Sequence, residues 1–313
     1  MQILNSLVPI FAVISLGIVL RGRRFLTAET TQAFNRFAYY FALPLFLFNQ
    51  LGGAPSVGGL ANRFIMTLFG ASLATALASW GLSHLLNTRF SSRGTFVQAG
   101  FRGNLAFIGL PLILFTTAEL PDSQKAELES AVLIALMPVA IFYNTASVAA
   151  LAVYNEKTDT DFSWSSILTN VATNPLVLAC LLGLAVQLSH WEIPVVIART
   201  CEVIGKSAFS MALIGIGSQL ASISVKGQWN ASLLTTALKN VFCPIVGYLI
   251  GKSLGLAGTE LLVILILCAV PTAVSSYVLS EQMKGDADLA ASSVVIGTAC
   301  SLITLSVLLA IPF

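Results

Sequence analysis

Ten stretches of about twenty predominantly apolar residues, separated by short polar breaks, dominate this chain, and each is long enough to cross a bilayer as a helix. They run Ile3–Leu20, Phe34–Leu51, Phe64–Leu86, Thr95–Ala118, Ser130–Tyr154, Ile167–Leu188, Cys201–Ala221, Ala231–Leu254, Glu260–Glu281 and Leu289–Ile311. The 313 residues are 56% hydrophobic and 10% charged, with a mean hydropathy of +0.87, where a soluble domain carries about 25% charged residues. The expected fold class is therefore all-α integral membrane, with ten transmembrane helices.

Arg21, Arg23 and Arg24 follow the first window and no cation precedes it, the reverse of a secretory signal, so the segment is expected to stay in the mature protein. Nine of the lysines and arginines in the breaks, among them Arg36, Arg89, Arg93, Lys157 and Lys226, fall on one side, against Arg63, Lys125, Arg199 and Lys252 on the other. The positive-inside bias then predicts a multi-pass protein of the cell (inner) membrane with both termini outside. Cys180, Cys201, Cys243, Cys268 and Cys300 lie in or beside apolar windows without a CxxC pair and read as small core hydrophobes. His84 and His190 are far apart at helix ends, too few for a metal site, so no metal and no cofactor are expected. A net charge of +2 gives no reason to expect nucleic acid.

The chain also repeats itself. Val8-Pro9-Ile10 matches Asn174-Pro175-Leu176 at an offset of 166, Asn49-Gln50-Leu51 matches Ser218-Gln219-Leu220 at 169, and Leu110-Pro111-Leu112 matches Val270-Pro271-Thr272 at 160. With five windows per copy, the second enters the membrane from the opposite side, so the reading is two inverted five-helix repeats, residues 1–155 and 156–313. The polar run Asn155–Asp161 is the seam.

In hydrocarbon an interrupted helix survives only where protein or a watery cavity covers it. Gly109 and Pro111 are expected to unwind the fourth window, and Pro271 the ninth. Two interruptions in matching positions of inverted repeats point to a substrate site near the midplane. Half-helix starts beyond Pro111 and Pro271 favour an anion. The candidate binding set is Asn104, Gly109, Leu110, Pro111, Val270, Pro271 and Thr272, joined by Gln50 and Gln219 in the second and seventh windows. Arg102 reads as snorkelling to the inner surface, and Lys206 and Lys239 as structural residues near window edges.

GNLAFIGLPL, AVPTAVSSYVLSEQMKGD and NPLVLACLLGL resemble the auxin efflux carrier family, the PIN-like membrane transporters of plants and bacteria, over essentially the whole chain. The resemblance implies a fold like that of sodium–bile acid symporters, with helices 4 and 9 broken and crossing. It implies a dimerising scaffold of helices 1, 2, 6 and 7, and a transport domain of helices 3–5 and 8–10 that moves as an elevator. The family's crossover prolines and substrate asparagine fall on Pro111, Pro271 and Asn104. Family substrates are small organic anions, auxin-like acids or dicarboxylates. Two features depart from the plant members: the long hydrophilic loop is absent, and Phe64–Leu86 lacks their Asp–Lys pair.

Glu202, Glu260, Glu281 and Asp288 fall at window edges, which argues against a coupling carboxylate at membrane depth. An interior-negative potential favours export of a monovalent anion by about 2.3 kcal/mol per 100 mV, so potential-driven efflux is expected. Alternatives are a Na⁺- or H⁺-coupled symporter on the same fold, with sodium held by groups such as Ser275 and Ser276, or a membrane sensor that does not transport. No GxSxG or HExxH string is present, and an enzyme is not expected.

Overall fold

The computed structural model describes residues 2–54, 58–86, 88–154, 173–189, 191–223 and 228–311. The seam Asn155–Asp161, His190, Lys157 and Lys226 lie outside the described residues. In chain order the helices are α1 (Gln2–Gly22), α2 (Ala28–Phe37), α3 (Leu43–Gly52), α4 (Leu60–Leu85), α5 (Phe90–Phe101), α6 (Leu110–Thr116) and α7 (Asp122–Val153). There follow α8 (Pro175–Ser189), α9 (Val195–Ser222), α10 (Trp229–Ala237), α11 (Cys243–Ser253), α12 (Gly258–Ala269), α13 (Ser275–Gln282) and α14 (Ala287–Ala310). Among the described residues, six helices are long and apolar enough to span a bilayer: α1, α4, α7, α9, the joined α10–α11, and α14. The other four apolar windows hold the joined α2–α3, the short α8, and two interrupted pairs, α5–α6 and α12–α13.

Prolines explain much of this irregularity. Three π-turns, Ala38–Ala42, Leu105–Gly109 and Leu238–Phe242, each end two residues before a proline: Pro44, Pro111 and Pro244. A proline lacks the N–H for the ladder and its ring collides with the carbonyl four residues back. The wider π-turn, with its i→i+5 bonds, moves that carbonyl away and keeps the chain helical. Pro111 therefore does not unwind the fourth window, contrary to expectation. It sits in the first turn of α6, directly after the Leu105–Gly109 turn.

Polar residues face inward and apolar ones outward, as a lipid solvent demands. On α4, Thr67, Ser72, Thr75, Ser79 and Ser83 are buried, while Leu77 and Trp80 are exposed. Thr75 and Ser79 return their hydroxyl protons to the carbonyls of Ala71 and Thr75, which satisfies them without a partner helix. Small residues let other helices meet backbone to backbone. A Cβ on Gly17 of α1 would stand 2.2 Å from the Ile214 carbonyl oxygen on α9, and one on Gly217 of α9 would stand 1.9 Å from that of Ile14. Together α1, α3, α8 and α9 form one closely packed group; α4, α5, α7, α10, α11, α12, α13 and α14 pack among themselves into another.

Candidate substrate site at the crossing of two broken helices

The fourth and ninth windows are both interrupted, and the interruptions meet. At the end of α5 the backbone turns extended at Arg102 (φ −77°, ψ 100°), and at the end of α12 it does so at Val270 (φ −59°, ψ 146°). The second turn has a local cause, because the residue before a proline is disfavoured in the helical region and Pro271 follows Val270. The two extended pieces pair in an antiparallel bridge between Gly103 and Thr272. Asn104 N–H donates to the Pro271 carbonyl at 2.8 Å, and Ala273 N–H to the Arg102 carbonyl at 2.9 Å. Each break thus satisfies backbone groups of the other, which allows non-helical chain at membrane depth.

The break in the first pair lies at Arg102–Asn104, seven to nine residues before Pro111, and the helix restarts at Leu105 rather than beyond the proline. Ala269, where α12 ends, follows Phe101, where α5 ends, by 168 residues. That spacing is closer to the offsets of 166 and 169 in two of the sequence matches than to the 160 residues between Pro111 and Pro271.

The helix ends at the break are closed by side chains. Thr272 Oγ1 donates to the Ala99 carbonyl at 2.8 Å, near the end of α5. Lys239 Nζ donates to the Cys268 carbonyl, in the last turn of α12. Gly103 sits in a crowded place: a Cβ there would lie 2.6 Å from Lys239 Cε and 3.0 Å from Val270 Cγ2, so the lysine chain would have to shift.

Two cavities lie nearby, and the smaller one borders the crossing. One, of about 740 Å³, is lined by Arg21, Asn35, Tyr39, Arg102, Asn104 and Gln219. The other, of about 1210 Å³, is lined by Pro9, Gln50, Pro111, Glu129, Glu202 and Lys206. Asn104 begins the π-turn, whose Ile108 and Gly109 N–H groups bond to its carbonyl; its side-chain amide takes no part in the cap. Arg102 does not snorkel to a surface. Its Nη2 donates to Asn144 Oδ1 of α7 at 2.8 Å, and Nη1 is buried without a protein partner among the described residues.

The expected site residues thus divide. Asn104 and Gln219 share the smaller cavity, whereas Gln50 and Pro111 line the larger one. Val270 and Thr272 are fully buried in the break, Pro271 is buried and contributes its carbonyl, and Gly109 and Leu110 pack behind it. Gln50 is engaged elsewhere: its Nε2 donates to Glu129 Oε2 at 2.9 Å.

Glu129 and Lys239 were not foreseen. Glu129 is 3% exposed, one residue before its apolar window, because α7 begins at Asp122 and carries it inside. Lys239 is not at an edge. It occupies the π-turn in the middle of the α10–α11 span with 0% exposure, and Asn240 beside it bonds to the Gly297 carbonyl of α14. Its place about nine residues into an apolar window, next to an asparagine, was the available signal. Lys206 forms an exposed pair with Glu202 at 2.6 Å.

Residues 2–309 match the family described as membrane transport protein. The chain belongs to that family. The match bears out the resemblance to the PIN-like carriers read from the sequence. The chain is also 24% identical over 311 residues to a protein of Rhizobium meliloti (strain 1021) named "Putative malonate transporter", covering 98% of this chain and 95% of that one. A multi-pass membrane transport protein is what the helices and the family together establish.

Proposed function

We propose that this protein is a secondary transporter that moves small organic anions, dicarboxylates such as malonate in particular, with the anion held at the crossing of the broken helices. The observation that carries the reading is Arg102: a guanidinium at a helix break, lining a cavity beside Asn104, with a buried Nη1 that has no partner among the described residues. A guanidinium presents a planar fork matched to a carboxylate, and the Asn104 amide adds a donor. The relative named for malonate agrees with this charge preference.

Ten spans in two inverted repeats are supported by the packing. Exchanging the first five spans for the second turns the α1–α9 contact into α8–α3, α4–α7 into α10–α14, α4–α5 into α11–α12, and α5–α7 into α12–α14, all of which occur. In this arrangement α1, α2–α3, α8 and α9 are a scaffold through which two copies associate, and the remainder moves as an elevator. Both termini lie outside in the inner membrane, so the smaller cavity, at the Arg21 end of α1, opens inward and the conformation is inward-facing.

The test is the current from proteoliposomes on a solid-supported membrane, challenged with malonate, malate, indole-3-acetate and a neutral control. A sustained anion current that Asn104→Ala weakens supports the proposal. No current with any anion from folded protein overturns it.

A proton-coupled symporter is the second reading, and Glu129 favours it. The Thr117 hydroxyl lies 3.0 Å from the Ile113 carbonyl and 2.9 Å from Glu129 Oε1, but has one proton to give. It can donate to the carboxylate or, turned to Ile113, accept from the protonated acid. The cluster thus accommodates either protonation state. Transport driven by a pH gradient alone, lost in Glu129→Gln, would decide for this reading over potential-driven efflux.

A further inference from the structure

We infer that Lys239 is a tethered cation at the crossing, occupying the place that a free cation would otherwise take, and that it makes anion binding independent of sodium. The inference rests on the anion site proposed above and names what sets its ion requirement.

A helix that ends inside the membrane leaves its last carbonyls without helical partners and carries a partial negative charge there. Transporters with broken helices use such ends to coordinate Na⁺ or H⁺. Here the end of α12 has its own ammonium instead: Lys239 Nζ donates to the Cys268 carbonyl. The same Nζ lies 3.1 Å from the Cβ position of Gly103, and Cε 2.6 Å from it. The ammonium is thereby wedged between the broken ends of both helices, one residue from Asn104. Gly103 admits it by lacking a side chain.

Lys239 is fully buried, and it takes part in neither ion pair formed among the described residues, Arg63–Glu260 and Lys206–Glu202. A buried charge without a counter-charge is costly. One hydrogen bond to a carbonyl offsets part of that cost. A substrate anion bound on the far side of the Arg102–Asn104 strand offsets more, with Arg102 in direct contact and Lys239 acting through the field behind it. Lys239 is thus a positioning residue, and the two cations together favour a doubly charged anion over a singly charged one.

The test is malonate binding to the purified full chain, measured by calorimetry in sodium chloride and again in choline chloride. Wild type is expected to bind with the same affinity in both, within about twofold. Lys239→Met, which fills the space without charge, is expected to lose on the order of tenfold or more in affinity whichever salt is present. Lys239→Ala, which leaves a gap beside the Cys268 carbonyl, is expected to be equally weak in choline and to recover when Na⁺ or ethylammonium is added. That rescue separates a cation's role from a merely structural one. Wild-type binding that requires Na⁺ overturns the inference, as does Lys239→Met binding like wild type or Lys239→Ala without rescue. If wild type binds neither malonate nor indole-3-acetate in either salt, the anion site itself is wrong and the inference falls with it.

Discussion

The two broken helices share one antiparallel contact yet finish their ends differently. The break after α5 places Arg102 and Asn104 on a cavity wall, while the break after α12 buries Val270, Pro271 and Thr272 and offers mainly backbone. The end of α5 is closed by a neutral hydroxyl from Thr272, the end of α12 by an ammonium from Lys239. Two breaks of like geometry thus differ in what they present: the first puts side chains on a cavity wall, and the second presents buried backbone with an ammonium behind it.

That contrast can be broken from several directions. The largest effect is expected for Arg102→Gln, because truncating a charged group that contacts a buried ionic ligand costs about 2–5 kcal/mol. Malonate currents in proteoliposomes should fall at least thirtyfold, by about that estimate, with the folded dimer or monomer peak unchanged on gel filtration. An undiminished current would place the anion elsewhere. Next comes Gly103→Ala, whose methyl must push aside Lys239 Cε and Val270 Cγ2. Overpacking of this kind costs about 1–3 kcal/mol, expected as a lower melting temperature, and an unshifted melt would show that the crossing yields easily. Thr272→Val keeps the shape and removes the hydroxyl, leaving the Ala99 carbonyl without that donor. It should lower stability by about 1 kcal/mol, measured by thermal unfolding in detergent, and should leave the sodium independence of binding intact. The smallest effect is expected for Pro111→Ala: the π-turn already accommodates the ring, so the change should stay within about 0.5 kcal/mol, whereas a large loss of transport would restore Pro111 to the break itself.

The sequence made the membrane spans and the polar amide of Asn104 legible, because apolar length and a lone amide in hydrocarbon are local signals. The position of the first break was not. Whether a proline breaks a helix depends on whether an extra residue can be absorbed as a π-turn, and Pro44, Pro111 and Pro244 all sit behind such turns. The lysine at the crossing was hidden for another reason. An ammonium in an apolar window reads as an edge residue until a partner is known, and the partner here is a carbonyl 29 residues away on another helix. Glu129 was excluded by a window boundary drawn one residue too late, since hydropathy alone does not register that Gln50 and Thr117 receive it.

The two cavities lie toward opposite ends of α1, one lined by Pro9 and the other by Arg21; the second touches the crossing at Arg102 and Asn104, and the first stops at Pro111. Water filling both would thin the insulating layer to the paired strand of Arg102–Asn104 and Pro271–Ala273 with the largely buried turn at 105–110 beside it. The membrane voltage then drops almost wholly over that septum instead of over the full bilayer. A charge carried across it crosses most of the field, worth about 2.3 kcal/mol per 100 mV for each elementary charge. The septum is thus an electrical lever, whose leverage comes from its thinness and not from the length of any stroke.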